Sequence, residues 1–300
     1  MTLLSLMPSQ LDLLTQINLD DLVASFGWQN RPLLARLLRR LFLRPGQIFA
    51  HQMSDFDAAL AVRGLVEASR FTIKHYVRDL RVFGADRIPA SAFLALSNHP
   101  GMADTLSLFT ALNRPDLHVL ALGRPFLDAM PNMSKQLFYL RDESASRVAF
   151  VRQVRAHLRN GGAALTFPAG RIEPDPNVHP GAVASLQTWT DSAGVFIRLA
   201  PETAILPVLV RGVVWKKAAF HWLTKIKKTR GEKEKLAAAL QLLGYVILKV
   251  KPVTVRVQIG RPIYASELGT TETKVIHQSM LAEMKRLIEN PPEGDGMSLL

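Results

Sequence analysis

His99 and Asp104, five residues apart in the stretch LALSNHPGMADTLSLF, are the pair in this sequence best placed for proton chemistry. A carboxylate that accepts a hydrogen bond from one imidazole nitrogen fixes the ring's tautomer and leaves the other nitrogen able to take a proton. With Pro100 at the first helical position, where a missing N–H costs nothing, Asp104 lies about one turn into a helix and can fold back towards the ring. The bland reading is a satisfied loop histidine and a first-turn aspartate favoured by the helix dipole. Ser97 is read as structural.

Three further segments carry candidate chemistry. Arg141 in LFYLRDES can present a bidentate fork to phosphate or make a surface ion pair with Asp142 or Glu143. In LTFPAGRIEPDP, Gly170 permits unusual backbone angles in a tight turn, and Arg171 points to the same rim as His99. In AILPVLVRG, Pro207 interrupts an apolar run, which argues for a sheet edge or a bulge.

These residues need a scaffold, and the apolar pattern supplies one. Residues 1–80 read as a helical segment, with Leu34, Leu37, Leu38 and Leu41 recurring at three and four and Pro32 and Pro45 as punctuation. From Phe93 onwards, short apolar runs at 93–97, 117–122, 137–140, 163–167, 204–210 and 253–259 alternate with amphipathic stretches, the clearest at 145–159 before Gly161-Gly162. That grammar predicts an α/β domain over 81–290: a mainly parallel sheet covered by helices on both faces, preceded by the N-terminal helical segment. Ligands of such sheets bind at the carboxyl ends of strands, where Asn98-His99, Arg141 and 168–171 fall. Residues 291–300 are expected to form a loose tail.

Composition narrows the partners. The 300 residues carry 37 basic and 25 acidic side chains, a net charge of +12, which points to an anionic partner. The absence of cysteine excludes disulfides, thiolate nucleophiles and cysteine-bound zinc. No Gly-x-Ser-x-Gly elbow occurs, and the eight histidines lack helical ligand spacing, so no metal is expected. The N-terminus lacks a signal-peptide pattern, and the longest apolar run, 236–248, is too short to span a bilayer. A cytoplasmic chain, peripheral on the inner face of the membrane, is the expectation. Residues 213–230 mix Trp215, Phe220 and Trp222 with six cations, as a helix lying on an anionic membrane surface requires, and 34–44 add Arg36, Arg39, Arg40 and Arg44. A solvated basic helix or a nucleic-acid patch is the alternative; with no nucleic-acid motif visible, no nucleic-acid partner is expected.

In this order and spacing, the four segments resemble the phospholipid acyltransferase family, the glycerol-3-phosphate and lysophosphatidate acyltransferases. Its N-H-x4-D motif is matched at Asn98, His99 and Asp104, with Gly101 inside it. Phe138, Tyr139 and Arg141 are similar to the second motif. Phe167, Pro168, Gly170 and Arg171 match the third in part, and residues 205–209 are similar to the fourth. The resemblance covers about residues 85–215. It implies that His99 takes a proton from an acceptor hydroxyl while that oxygen attacks an acyl thioester, with Asp104 holding the imidazolium. The donor it implies is acyl-CoA or acyl carrier protein, the acceptor is a lysophospholipid, glycerol phosphate or related lipid, and no cofactor is needed. Substrate contacts are implied for Asn98, Gly101, Arg141, Phe167, Pro168, Gly170 and Arg171. Ala169 departs from the family's glutamate and the threonine before the arginine is missing, with Glu173 a possible substitute carboxylate. That departure keeps open a non-catalytic lipid-binding relative, and an acyl-thioester hydrolase is the other alternative.

Overall fold

The structure is a computed structural model that describes residues 9–140, 144–226 and 228–300. Its strands are β1 (Asp79–Phe83), β2 (Phe93–Ser97), β3 (His118–Leu122), β4 (Leu137–Leu140), β5 (Ala163–Thr166), β6 (Ala204–Arg211), β7 (Thr254–Ile259) and β8 (Met297–Ser298). Its longer helices are α1 (Gln10–Phe26), α2 (Pro32–Ile73), α3 (Met102–Leu112), α4 (Ser144–Arg159), α5 (Ser192–Leu199), α6 (Arg230–Leu248) and α7 (Thr273–Glu289). The chain divides into two compact units.

One unit comprises Arg63–Gly123, Gln136–Trp215 and Lys251–Leu300 and holds the whole sheet, in the order β4-β3-β5-β2-β6-β7-β1-β8. Pairing is parallel from β4 across to β6 and between β7 and β1, and antiparallel at β6–β7 and β1–β8. This is the mainly parallel α/β sheet that the alternating pattern predicts, and none of the six expected strands has an end displaced by more than one residue. The connections β2–α3–β3 and β4–α4–β5 run in opposite directions along the sheet, so right-handed crossovers place α3 on one face and α4 on the other. On the α4 face, Leu94, Leu96, Ala164, Ile205 and Leu209 pack against Val154 and Leu158 of α4, Phe196 and Ile197 of α5, and Met280 and Met284 of α7. Buried Arg211 ties β6 to α7, its Nη2 donating to Leu287 O at 2.7 Å at the helix's C-terminal end.

Three features of the sheet differ from the sequence-based expectation. β1 carries Asp79 and Arg81 on its less buried side, which hides its apolar alternation. Met297–Ser298 pair with β1 where a loose tail is expected, with Leu299 N–H donating to Leu80 O. Pro207 lies in a central strand, and there the expected bulge is in its neighbour. The β6–β7 register slips by one residue between Val208↔Ile259 and the bridge Ile205↔Ile263, while Gly260 N–H donates to Pro207 O. The proline's missing N–H therefore faces a gap in the ladder.

The other unit is built from three separate segments, Met1–Val62, Arg124–Lys135 and Lys216–Val250. Helix α1 starts at a Ser9–Asp12 capping box and ends at Gly27, φ 70°. It packs on α2 through Val23, Ala35 and Leu38, with Phe26, Trp28 and Phe42 alongside. Pro32 opens α2 as expected, but Pro45 does not end it; α2 is helical throughout except at Gly64, where φ 76° and ψ 172° break the axis. Asp57, 2% exposed, ties the segments together. Its Oδ1 accepts from Asn132 N–H at 3.0 Å and Met133 N–H at 2.8 Å, capping the short helix Pro131–Ser134, and its Oδ2 accepts from Asn132 Nδ2 at 3.1 Å. Gln10 Nε2 donates to Ala129 O at 2.9 Å, fixing the same segment to α1. Among the described residues of 213–230 no single helix forms: Lys216–Ala219 and a 3₁₀ turn at Trp222–Ile226 stand in its place. His221 Nδ1 accepts from Leu223 N–H and Thr224 Oγ1 donates to His221 O, local bonds that compete with a continuous helix.

Candidate active site

The site forms where β2 leaves the sheet. β2 reads FLALS and is buried at every position, which makes it a rigid base. Past its last ladder pair, Ser97↔Val208, the chain is held by a side chain in place of main chain. Asn98 Nδ2 donates to Val210 O at 2.9 Å and its Oδ1 accepts from Val210 N–H at 2.8 Å. The amide imitates a peptide group, so the backbone can turn away while the N–H and C=O of Val210 stay paired. Ser97 is fully buried and its Oγ donates to Asn98 O at 3.0 Å, a structural contact.

His99 follows with its side chain 28% exposed, and Asp104 beneath it is fully buried. Asp104 Oδ2 lies 2.7 Å from His99 Nδ1 and accepts from Gly101 N–H at 2.9 Å, while Oδ1 accepts from Thr105 Oγ1 at 3.1 Å. The carboxylate can only accept here, so His99 Nδ1 carries the hydrogen and Nε2 the lone pair. The helix begins later than the sequence predicts. Gly101 is the N-cap of α3, with φ 156° and ψ −171°, and Pro100 precedes it. Asp104 is thus the third helical residue, the position from which an acidic side chain folds back on the N-cap N–H. That fold-back is what brings it to the imidazole.

The loop after β5 covers the ring. Phe167 sits on His99 with centroids 4.6 Å apart and planes tilted by 33°. Phe167 to Gly170 form a turn closed by Gly170 N–H to Phe167 O at 2.9 Å, with Gly170 at φ 61°. Pro168 is buried and its C=O accepts from Thr190 N–H. Ala169 packs against the apolar cluster on the α4 face, where a carboxylate would meet hydrocarbon. Arg171 is exposed, in the loop between two residues that touch His99, Phe167 and Glu173. Arg141 lies outside the described residues.

Two buried carboxylates complete the loop. Glu173, 3% exposed, accepts His99 N–H at Oε2 (3.2 Å) and donates its own N–H to His99 O (2.8 Å). Its Oε1 accepts from Trp189 Nε1 at 2.7 Å, with Ser185 Oγ at 3.0 Å. Burial pushes the Glu173 carboxyl above the usual range, opposed by these hydrogen bonds and by the His99 charge. Fully buried Asp175 accepts from Asn177, Gly212 and Val214 N–H at 2.9, 3.0 and 2.9 Å, fastening this loop to the one after β6. Sequence reasoning missed Asp175. Its Oδ1 bond to the N–H two residues on is an Asx-turn, which the stretch Asp-Pro-Asn could have signalled. Among the described residues, no group of three or more His, Asp or Glu side chains is placed to hold a metal ion.

No protein-family model matches the chain, and no curated protein matches it. Among solved structures, the 1-acyl-sn-glycerophosphate (LPA) acyltransferase PlsC from Thermotoga maritima aligns over 95% of this chain and 95% of its own at 16% identity, with a TM-score of 0.45.

Proposed function

We propose that this chain is an O-acyltransferase, moving a fatty acyl group from a thioester of coenzyme A or acyl carrier protein to a hydroxyl of a lysophospholipid, glycerol phosphate or related lipid. The observation that carries the reading is the 2.7 Å contact between His99 Nδ1 and fully buried Asp104 beside a part-exposed imidazole. His99 Nε2 takes the acceptor's hydroxyl proton as the oxygen bonds to the thioester carbonyl carbon. The C–S bond then breaks, and the thiolate leaves as a thiol with the proton returned by the imidazolium. Asp104 holds the ring in the productive tautomer and stabilises the imidazolium. Exposed Arg171 offers an anionic acceptor a fork. The N-H-x4-D resemblance and the lack of a cysteine or serine-elbow nucleophile support direct transfer over a covalent intermediate.

A peripheral position on an anionic membrane, at the inner face of a cytoplasmic location, belongs to the same proposal. No helix among the described residues is long and apolar enough to cross a bilayer. Leu33, Leu37 and Leu41 are 76%, 54% and 64% exposed on α2 beside Arg36, Arg40 and Arg44, and Phe220, Trp222 and Ile226 are similarly exposed beside Lys216, Lys217 and Lys225. Exposed apolar groups among cations fit lipid headgroups better than they fit water.

The test is loss of an acyl thioester by purified protein with and without lysolipid or glycerol phosphate, following thiol release and acylated product together. Acceptor-dependent product is expected, and His99→Ala should lower turnover by about 10²–10⁴-fold. Full turnover in that variant would remove His99 as the base. Free fatty acid without acceptor would make the chain a hydrolase, and binding without thioester loss a lipid-binding relative.

A further inference from the structure

Glu173 keeps an ionisable carboxyl buried beside the imidazole, yet no bond-making step above uses it. Through its own N–H and its Oε2 it engages both the C=O and the N–H of His99, the main chain from which the ring projects. Its far oxygen receives the Trp189 indole N–H, a group that can only donate. Ser185 has one hydroxyl proton and two acceptors for it, Glu173 Oε1 at 3.0 Å and Ala182 O at 2.7 Å. Two obligatory N–H donors thus point at opposite oxygens of one side chain. A carboxylate satisfies both, whereas an amide must turn its own NH₂ against one of them.

Among the described residues, the charged group acting on Glu173 is His99; its other side-chain contacts, Trp189 and Ser185, are neutral. His99 in turn meets Asp104 at its ring and Glu173 at its main chain. We infer that Glu173 is a positioning residue with two effects on His99: it clamps the main chain that carries the ring, and its negative charge joins that of Asp104 in holding the imidazolium. Little water screens a carboxylate buried so deeply, so its field reaches the imidazole at low effective dielectric. The inference rests on the general-base reading for its catalytic meaning, and on geometry alone for the coupling.

The coupling is separable from the clamp. Glu173→Gln removes the charge and leaves one N–H facing an amide NH₂. Adding Trp189→Phe removes that clashing donor, so the double variant lets glutamine keep its oxygen on His99 N–H. NMR titration of the imidazoles in histidine-labelled full-length protein then compares Trp189→Phe with the double variant. The His99 midpoint is expected to fall by about 1 pH unit on loss of the neighbouring anion, and the acid limb of kcat/KM for acyl transfer should move down with it. A folded double variant whose His99 midpoint stays put overturns the inference. In wild-type protein the His99 ring and the Glu173 carboxyl, followed by ¹³C, should each register the other's titration; two independent curves would overturn it as well, whether or not the variants fold. A shifted midpoint in a protein without thioester turnover sinks the acyl-transfer reading and leaves the coupling standing.

Discussion

Replacing Asp104 with asparagine separates charge from orientation. Asp104 Oδ2 receives two N–H groups, from His99 Nδ1 at 2.7 Å and Gly101 N at 2.9 Å, whereas Oδ1 receives a hydroxyl, Thr105 Oγ1 at 3.1 Å. The Gly101 amide can only donate, while a hydroxyl can turn and accept. The asparagine oxygen therefore takes the Oδ2 place and its NH₂ faces Thr105. His99 keeps its hydrogen on Nδ1, so the productive tautomer survives and the charge alone is lost. A hydrogen bond to a charged partner is worth about 1.5–3 kcal/mol and one between neutral groups about 0.5–1.5, so the imidazolium loses about 1–1.5 kcal/mol. At about 1.4 kcal/mol per tenfold, that is a 5–15-fold fall in kcat/KM. Asp104→Ala, which also frees the ring to rotate and leaves Gly101 N–H unpaired, should cost about 10²–10⁴-fold, close to His99→Ala. Steady-state thiol release across pH 5–9 measures all three. If Asp104→Asn loses as much as Asp104→Ala, the oxygen is not placed as argued and the wrong tautomer has formed. If it loses nothing, the carboxylate's charge has no part in the reaction.

Two other variants probe the scaffold and the surface. Asn98→Ala leaves the Val210 N–H and C=O buried without partners, which should cost about 2–4 kcal/mol and lower Tm by about 3–6 °C in a scanning melt; an unchanged Tm would show that water replaces the amide. Leu37→Asp together with Trp222→Ala should weaken sedimentation with anionic phosphatidylglycerol vesicles by about tenfold or more while leaving turnover of a water-soluble thioester intact. Equal vesicle binding by this variant and the wild type would place any membrane contact elsewhere.

The central strands are legible because burial on both faces leaves them almost wholly apolar. FLALS of β2 and AILPVLVR of β6 read as apolar runs because helices cover both sides of the sheet centre. β1 is not, since its Asp79 and Arg81 answer each other on one side and disguise the alternation. Pro45 misled for a related reason: local propensity marks a helix end, but α2 continues past it, and Gly46 lies against Leu19 of α1. Within the site, the His99–Asp104 spacing shows in sequence because the contact is made inside one turn of chain. Glu173 reaches the same residue across 74 positions, and no periodicity encodes so distant a meeting. The Asp57 anchor, 75 positions from Asn132, was hidden in the same way.

The helical unit is drawn from residues before the sheet begins, from a short excursion between β3 and β4, and from a longer one between β6 and β7. Its hydrophobic interior cannot close fully until translation has passed residue 250, so α1 and α2, packed on each other, wait for the later segments to cover the rest of their apolar surface. Trimming the N-terminal helices would not excise this body cleanly. It would strand α6 and the 124–135 excursion without the surface they fold against, which makes aggregation the expected fate of a shortened chain.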